Sequence, residues 1–266
     1  MKRLFPAAMM AALLFTTGLA TQANAGKIVV NHDDWTFRNV GFTNANPDTA
    51  NFAVNIANWF AGGTSGNFLA YSTNAGLTGS TLASTMTGAG HSWTSGFAVP
   101  FNLATPMNYD GVFLSGHPGY ATASVLIDYV NAGGNVYVGG GSGYLGAMGE
   151  AALWKPFLNI FGLAFDGSAN YNQVNGVFAV TADFALTRGV DELYYNNGLT
   201  VRRTGPSDYT SVFGSANGFR TLALYDSEGV PEAGSLALLV AGLGTLGLAY
   251  RRRHNDRGTG RGAAHA

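Results

Sequence analysis

Between residues 27 and 161 short apolar runs alternate with longer segments of helical period, and glycine pairs close two of the helical segments. That alternation restricts the fold more than any other feature of the chain. Strands separated by helices pair in parallel, and right-handed crossovers then place helices on both faces of the sheet. The expected fold class is α/β: a three-layer sandwich with a mostly parallel, flavodoxin-type sheet.

The first run, Lys27-Ile28-Val29-Val30, is apolar after its lysine, as a strand buried on both faces should be. Asn46-Pro47-Asp48 reads as an N-cap, a proline at the first helical position and an early carboxylate. Phe52, Ile56 and Trp59/Phe60 then recur at helical spacing until Gly62-Gly63. Further strands are expected at 67–71, 112–114 and 135–138. A weak helix is expected at 80–86, a firmer one at 121–132, and a last one at 147–161, bent or broken near Pro156. After Asp166 the runs shorten (177–181, 193–195, 211–213, 222–225) and are divided by Gly, Asn and Asp. That pattern predicts a short antiparallel extension or edge.

Composition narrows the chemistry. Of 266 residues, 38 are glycine, about twice average usage, but with no collagen-like triplet and with 12% aromatic residues they read as turns around a packed core. No cysteine is present, which removes disulfides, thiolate metal sites and cysteine nucleophiles together. Lys2, Arg3, Arg251, Arg252, Arg253, Arg257 and Arg261 lie in the two terminal segments. The stretch 26–230 holds seven bases against 13 acids, a charge of about −6, and so has no basic patch for phosphates. Nucleic acid is not an expected partner, and no cofactor is implied.

Both ends read as addresses. Residues 1–25 have a charged start, an apolar run over 4–20 and a small-x-small exit at Ala23-Asn24-Ala25, which is the pattern of a cleaved secretory signal. Residues 234–250 carry no charge and are followed at once by Arg251, Arg252 and Arg253. As a helix this stretch is about 25 Å long, at the short limit for a hydrocarbon core of ~30 Å. Its leucines surround the whole circumference, unlike those of a half-buried helix. The positive-inside rule then keeps the arginines in the cytoplasm and the domain at 26–229 outside. Residues 255–266 read as a polar tail.

Val230-Pro231-Glu232, a short spacer, this span and a terminal arginine cluster together resemble the PEP-CTERM sorting signal, over residues 230–254. The resemblance implies a Gram-negative source and recognition by an exosortase-type transpeptidase. It also implies cleavage near Pro231-Glu232 and transfer to the cell surface or an exopolysaccharide matrix. The transmembrane helix at 234–250 would then be a transient membrane anchor. This chain has Pro231-Glu232-Ala233 where the family usually repeats proline.

Inside the domain three stretches resemble the class I glutamine-amidotransferase-like superfamily. They are Tyr109-Asp110-Gly111-Val112-Phe113-Leu114-Ser115-Gly116, the run from Tyr129 to Gly141, and Leu186-Thr187-Arg188-Gly189-Val190. In that superfamily's enzymes a cysteine sits on a sharp strand-to-helix turn and a histidine comes from a later loop. Here the turn is Gly139-Gly140-Gly141-Ser142-Gly143, and the later stretch 183–187 has no histidine, so the family's chemistry is excluded in its usual form.

Ligands of open parallel sheets collect beyond the carboxyl ends of the strands. The expected strand ends bring His32, Asp33 and Asp34, then His117, then Ser142 to one crevice, and these are the candidate ligand-binding residues. Ser142 as nucleophile, His117 as base and Asp33 or Asp34 as orienter would make a divergent hydrolase. The competing reading has Ser142 capping a helix that begins near Tyr144. His32, Asp33, Asp34 and His117 would suit a divalent metal, but adjacent side chains rarely face one ion, and a polar turn explains them as well. Residues 141–146 also fit GxGxxG between a strand and a helix, the phosphate-cradling pattern, and tight backbone packing competes with that. Finally, His91 beside Trp93, with Trp35, Tyr120, Tyr144, Tyr194 and Tyr195, would suit a polar ligand such as a polysaccharide, or simply the core. The leading expectation is an exported binding or matrix-structural protein without catalysis.

Overall fold

The computed structural model describes residues 26–228, except 98–99, 120, 168–173, 183 and 207. The predicted leader, sorting signal, 234–250 helix and polar tail lie outside the described residues. Among the described residues no helix is long and apolar enough to cross a membrane.

Five strands form the parallel part of the main sheet: β1 (Lys27–Asn31), β2 (Asn67–Ala70), β3 (Ser92–Ser95), β4 (Gly111–Ser115) and β5 (Val136–Gly139). The crossovers carry α1 (Asn39–Asn44), α2 (Asp48–Phe60), α3 (Ala75–Thr78), α4 (Ser80–Gly88) and α5 (Ala123–Asn131), and α6 (Gly146–Leu158) follows β5. After α6 the chain forms two separate two-stranded antiparallel ladders. One pairs β6 (Leu163–Asp166) with β9 (Thr200–Arg203), the other β7 (Gly176–Ala179) with β8 (Glu192–Tyr195). A closing hairpin of β10 (Thr210–Ala216) and β11 (Phe219–Asp226) adds to the sheet antiparallel to β1, completing the seven-stranded order β10-β11-β1-β5-β4-β2-β3.

Alternation along the strands separates two cores. Val29, Phe68, Ala70, Phe113 and Tyr137 face one, together with Phe52, Ile56, Leu82 and Met86 of α2 and α4 and Leu193 and Tyr195 of β8. Ile28, Val30, Leu69, Val112, Leu114, Val136 and Val138 face the other, with Leu126 and Val130 of α5, Trp154 and Phe157 of α6, and the β6–β9 ladder. Every residue of β4 and β5 is buried, which is why these strands read as uninterrupted apolar runs.

The strand order departs from a simple flavodoxin sheet. The parallel strands run β3-β2-β4-β5-β1, which matches the flavodoxin order 2-1-3-4-5 only if the N-terminal strand is counted last. Strand β1 therefore borders the C-terminal hairpin rather than the sheet centre, and the point where the crossovers diverge falls between β2 and β4.

Local expectations need three corrections. Asn46 does not cap α2: Pro47 stands at the cap without a side-chain bond, and the Asp48 carboxylate instead accepts the N–H groups of Asp191 and Glu192 at 3.0 and 2.9 Å. Helix α6 passes through Pro156 to Leu158 and only then tightens into a 3-10 turn, Asn159–Phe161. It starts at Gly146, after Leu145 in the left-handed region, so Ser142 does not cap it.

Candidate functional site at the carboxyl ends of the strands

The sequence from Asn31 to Asp34 leaves β1 and at once binds its neighbours. Asn31 donates from Nδ2 to the Tyr137 hydroxyl and accepts the Asp33 N–H at Oδ1. Asp33 is wholly buried. Its Oδ1 accepts the Trp35 N–H at 2.9 Å, and its Oδ2 accepts the N–H groups of Asn196 and Asn197, both at 2.7 Å. Burial pushes the Asp33 carboxyl up to about 7 against the pull of those three donors, and the neighbouring Asp34 charge adds to the rise. Asp34 is also raised by burial, while the charge and hydrogen bond of Arg38, at 2.8 Å, and the Asn74 side chain oppose the rise.

His32 is sealed. It has no exposed surface, its ring stands edge-on to Tyr195 with centroids 4.3 Å apart, and a Cβ on Gly198 would lie 2.4 Å from its Nδ1. Neither ring nitrogen has a hydrogen-bond partner among the described residues, and burial lowers its pKa to about 3, so the ring is neutral. The backbone closes over it: Leu199 donates to the His32 carbonyl, Asp34 to that of Gly140, and Gly140 to that of Asn31. The loops after β1, β5 and β8 are thus tied into one knot.

Ser142 is half-buried, next to Gly141, whose carbonyl accepts from Asn197 of the knot. Its Oγ donates to Glu150 Oε1 at 3.0 Å, and its N–H lies 3.2 Å from both carboxylate oxygens. The same Oγ accepts the Tyr144 N–H. Glu150 comes from the second turn of α6 and is fully buried. Burial raises it to about 7, opposed by the Ser142 N–H and hydroxyl and the Gly143 N–H and assisted by the Asp34 charge. A carboxylate of the chain itself thus sits on the N–H groups that a phosphate would need, so the GxGxxG at 141–146 is a filled cradle and not an open one.

His117 is exposed. Its Nδ1 accepts the Gly119 N–H at 2.8 Å, and its ring packs edge-on against the exposed Tyr144, centroids 4.7 Å apart. Among the described residues it shares no partner with His32, and no hydrogen bond joins it to Ser142. Sequence reasoning placed His32, Asp33, Asp34, His117 and Ser142 in one crevice. The first three lie in the buried knot, which Asn197 ties to the Gly141 carbonyl; Ser142 is half-buried on Glu150, whose carboxyl feels the Asp34 charge, and His117 is exposed against Tyr144. Among the described residues no three His, Asp or Glu side chains converge as metal ligands. His91 sits near the opposite end of the sheet, before β3, where its Nδ1 accepts the Gly66 N–H. Tyr195 is core, Trp35 is covered by the Arg38 guanidinium 4.1 Å above its ring, and Tyr120 lies outside the described residues.

Glu150 is the buried carboxyl that sequence reasoning missed. It lies eight residues beyond Ser142, among alanines and Met148 on a helix whose apolar face is poorly marked, and what sets it apart is its burial with no salt bridge among the described residues. A cavity of about 250 Å³ opens elsewhere, at the amino ends of the strands, lined by Phe60, Met107, Tyr109, Asp110, Tyr129 and Asn135. Its polar groups are already engaged. Asn135 accepts from Lys27 and donates to the carbonyls of Phe60 and Asp110, Tyr129 donates to the Tyr109 carbonyl, and Asp110 accepts from Asn67.

No family model, no curated protein and no solved structure matches the chain.

Proposed function

We propose that this is an exported protein, sorted by an exosortase-type transpeptidase to the cell surface or an exopolysaccharide matrix, whose 26–229 domain binds or scaffolds and does not catalyse. The observation that carries the binding half is the partner of Ser142: its hydroxyl is held by Glu150, while His117 is occupied with the Gly119 N–H and with Tyr144. A serine without a histidine at hydrogen-bond distance lacks the base that acyl transfer in the triad manner requires. Of the two candidate orienters, Asp33 holds a turn of backbone and Asp34 accepts from Arg38. The amidotransferase-like reading draws support from the three-layer architecture and from the glycine-lined turn after β5, where that superfamily carries its nucleophile. The sorting half is supported by the leader pattern and by the sequence Val230-Pro231-Glu232, uncharged span, Arg251-Arg252-Arg253.

The exposed His117–Tyr144 pair beside the half-buried Ser142 offers a ring face and polar edges, the usual means of holding a sugar. Retention of the protein on exopolysaccharide should fall for Tyr144→Ala and His117→Ala, while the folded state survives, since both side chains are exposed. Full retention by the double variant would remove this surface from the account. Mass spectrometry of surface material should find a C-terminus near Glu232, and mature protein with an intact Arg251–Arg253 cluster would count against transpeptidation.

One geometry favours a second reading. The 3.0 Å contact between Ser142 Oγ and Glu150 Oε1, with the carboxyl raised to about 7, would let Glu150 serve as the base of a hydrolase in place of His117. Ester or glycoside hydrolysis lost in Ser142→Ala and in Glu150→Gln but kept in His117→Ala would establish that reading over the first.

A further inference from the structure

Both ends of the domain leave from the same edge. Lys27 opens β1 and is paired across the ladder with Asp226, the last residue of β11, while the Gly26 N–H donates to the Val130 carbonyl beside Gly134. These positions lie at the amino ends of the parallel strands, opposite the loops that carry Ser142 and His117. We infer that this amino end is the face of the domain that rests on the bilayer while the chain is anchored, and that the His117–Tyr144 end points away from it. The inference rests on the membrane-span half of the proposed function and specifies its geometry.

Length decides the orientation. From Asp226 to the start of the uncharged stretch at Gly234 is eight residues, which reach at most about 28 Å when fully extended. A compact domain of about 200 residues has a radius of gyration of about 17 Å and so measures about 40 Å across. A tether that starts at the amino end cannot run around the domain and still enter the membrane, so the carboxyl end cannot face the lipid. On the N-terminal side the apolar run ends only six residues before Gly26, so before the leader is removed the same edge is held from two sides.

Surface chemistry decides whether that edge merely hangs or makes contact. Met107 and Tyr209 are each 49% exposed and Ile160 is 63% exposed. All three lie at this end: Met107 in the turn that leads into β4, Tyr209 with its carbonyl accepting the Asp226 N–H, and Ile160 beside Phe161, whose ring packs on Tyr225. Lys27 reaches over the Trp59 ring at 4.8 Å at the same edge. Apolar side chains with tyrosine, tryptophan and lysine are the composition of a headgroup-level surface. Lys27, Arg202 and Arg203 stand against Asp110, Asp208, Asp226 and Glu228 at this end, nearly in balance, so the partner is a zwitterionic lipid surface and no excess of positive charge calls for anionic lipid.

The absence of cysteine makes the test clean. The full chain carrying Met107→Cys, Tyr209→Cys or Met148→Cys, each exposed, is labelled with an environment-sensitive dye. It is then reconstituted into phosphatidylcholine vesicles containing a nitroxide-headgroup lipid. The expected result is quenching at M107C and Y209C and none at M148C, little changed when anionic lipid replaces part of the phosphatidylcholine. Equal quenching at all three positions, or quenching at M148C alone, with the protein in the membrane pellet, overturns the orientation and leaves the span intact. Protein recovered only in the supernatant overturns the span, and the orientation with it.

Discussion

Gly198 shows how little slack the carboxyl end allows a single residue. It sits at φ +123°, where only glycine is at ease, and a Cβ there would press into the buried His32 ring. Gly198→Ala should therefore lower stability by about 3 kcal/mol or more, read as a fall in the urea midpoint. An unchanged midpoint would mean that His32 can move aside. Glu150 makes the corresponding argument for charge. Its carboxyl is raised from 4.5 to about 7, so the folded protein holds a proton there that the unfolded chain releases between those values. The stabilisation is complete below pH 4.5 and is lost as pH rises through 7. Glu150→Gln should flatten that part of the stability profile by ~3 kcal/mol at pH 8, and a variant with the wild-type slope would show that the carboxyl stays ionised. At this scale the sequence was only partly legible. Ser142 stood out by its glycine neighbours, but its partner did not, because a glutamate on a helix ordinarily faces water.

Among the elements, Asp33 joins two segments that are far apart in sequence. Its two oxygens collect Trp35 from the turn after β1 and Asn196 and Asn197 from the link between β8 and β9. Asp33→Ala should release that link, leaving buried N–H groups without acceptors at a cost of about 3 kcal/mol. Hydrogen exchange at Asn196, Asn197 and Leu199 should accelerate before exchange in β4 or β5. Uniform exchange across the sheet would show instead that the knot does not open on its own. The elements that declared themselves in sequence are those buried on both faces or periodic on one, such as β1, β4, β5, α2 and α5. Strand β3 reads Ser92-Trp93-Thr94-Ser95 because it is the sheet edge, where polar residues discourage pairing with other chains, and so it carries no apolar run. The closing hairpin was legible in principle: Asn217 and Gly218 both have positive φ, the turn that an Asn-Gly pair favours between strands. The place of β1 beside β5 and β11 was not legible, since strand order is decided by long-range pairing that no local pattern records.

For the molecule as a whole, buried ionisable groups at the carboxyl end set the response to pH: Asp33, Glu150 and His32, with Asp34 raised by burial in the same direction as the other two carboxyls. Asp33 and Glu150 are both raised to about 7, so each favours the folded state below its ordinary pKa and loses that contribution as pH rises to 7. His32 has the opposite sign: lowered from 6.5 to about 3, it contributes above 6.5 and loses its contribution as pH falls. Between about pH 4.5 and 6.5 two groups therefore push stability down with rising pH while one pushes it up, and above 6.5 only the downward push remains. Net charge acts in the same direction, because seven bases face 13 acids over 26–230 and each further deprotonation adds repulsion. The protein should melt at a higher temperature at pH 5 than at pH 8, with the steepest loss between about 5.5 and 7. The excess at pH 5 should shrink in Glu150→Gln. Scanning calorimetry across that range decides the matter: a Tm that rises from pH 5 to pH 8 would show that His32, not the two carboxyls, governs the buried end, and that Asp33 remains ionised behind its three N–H donors.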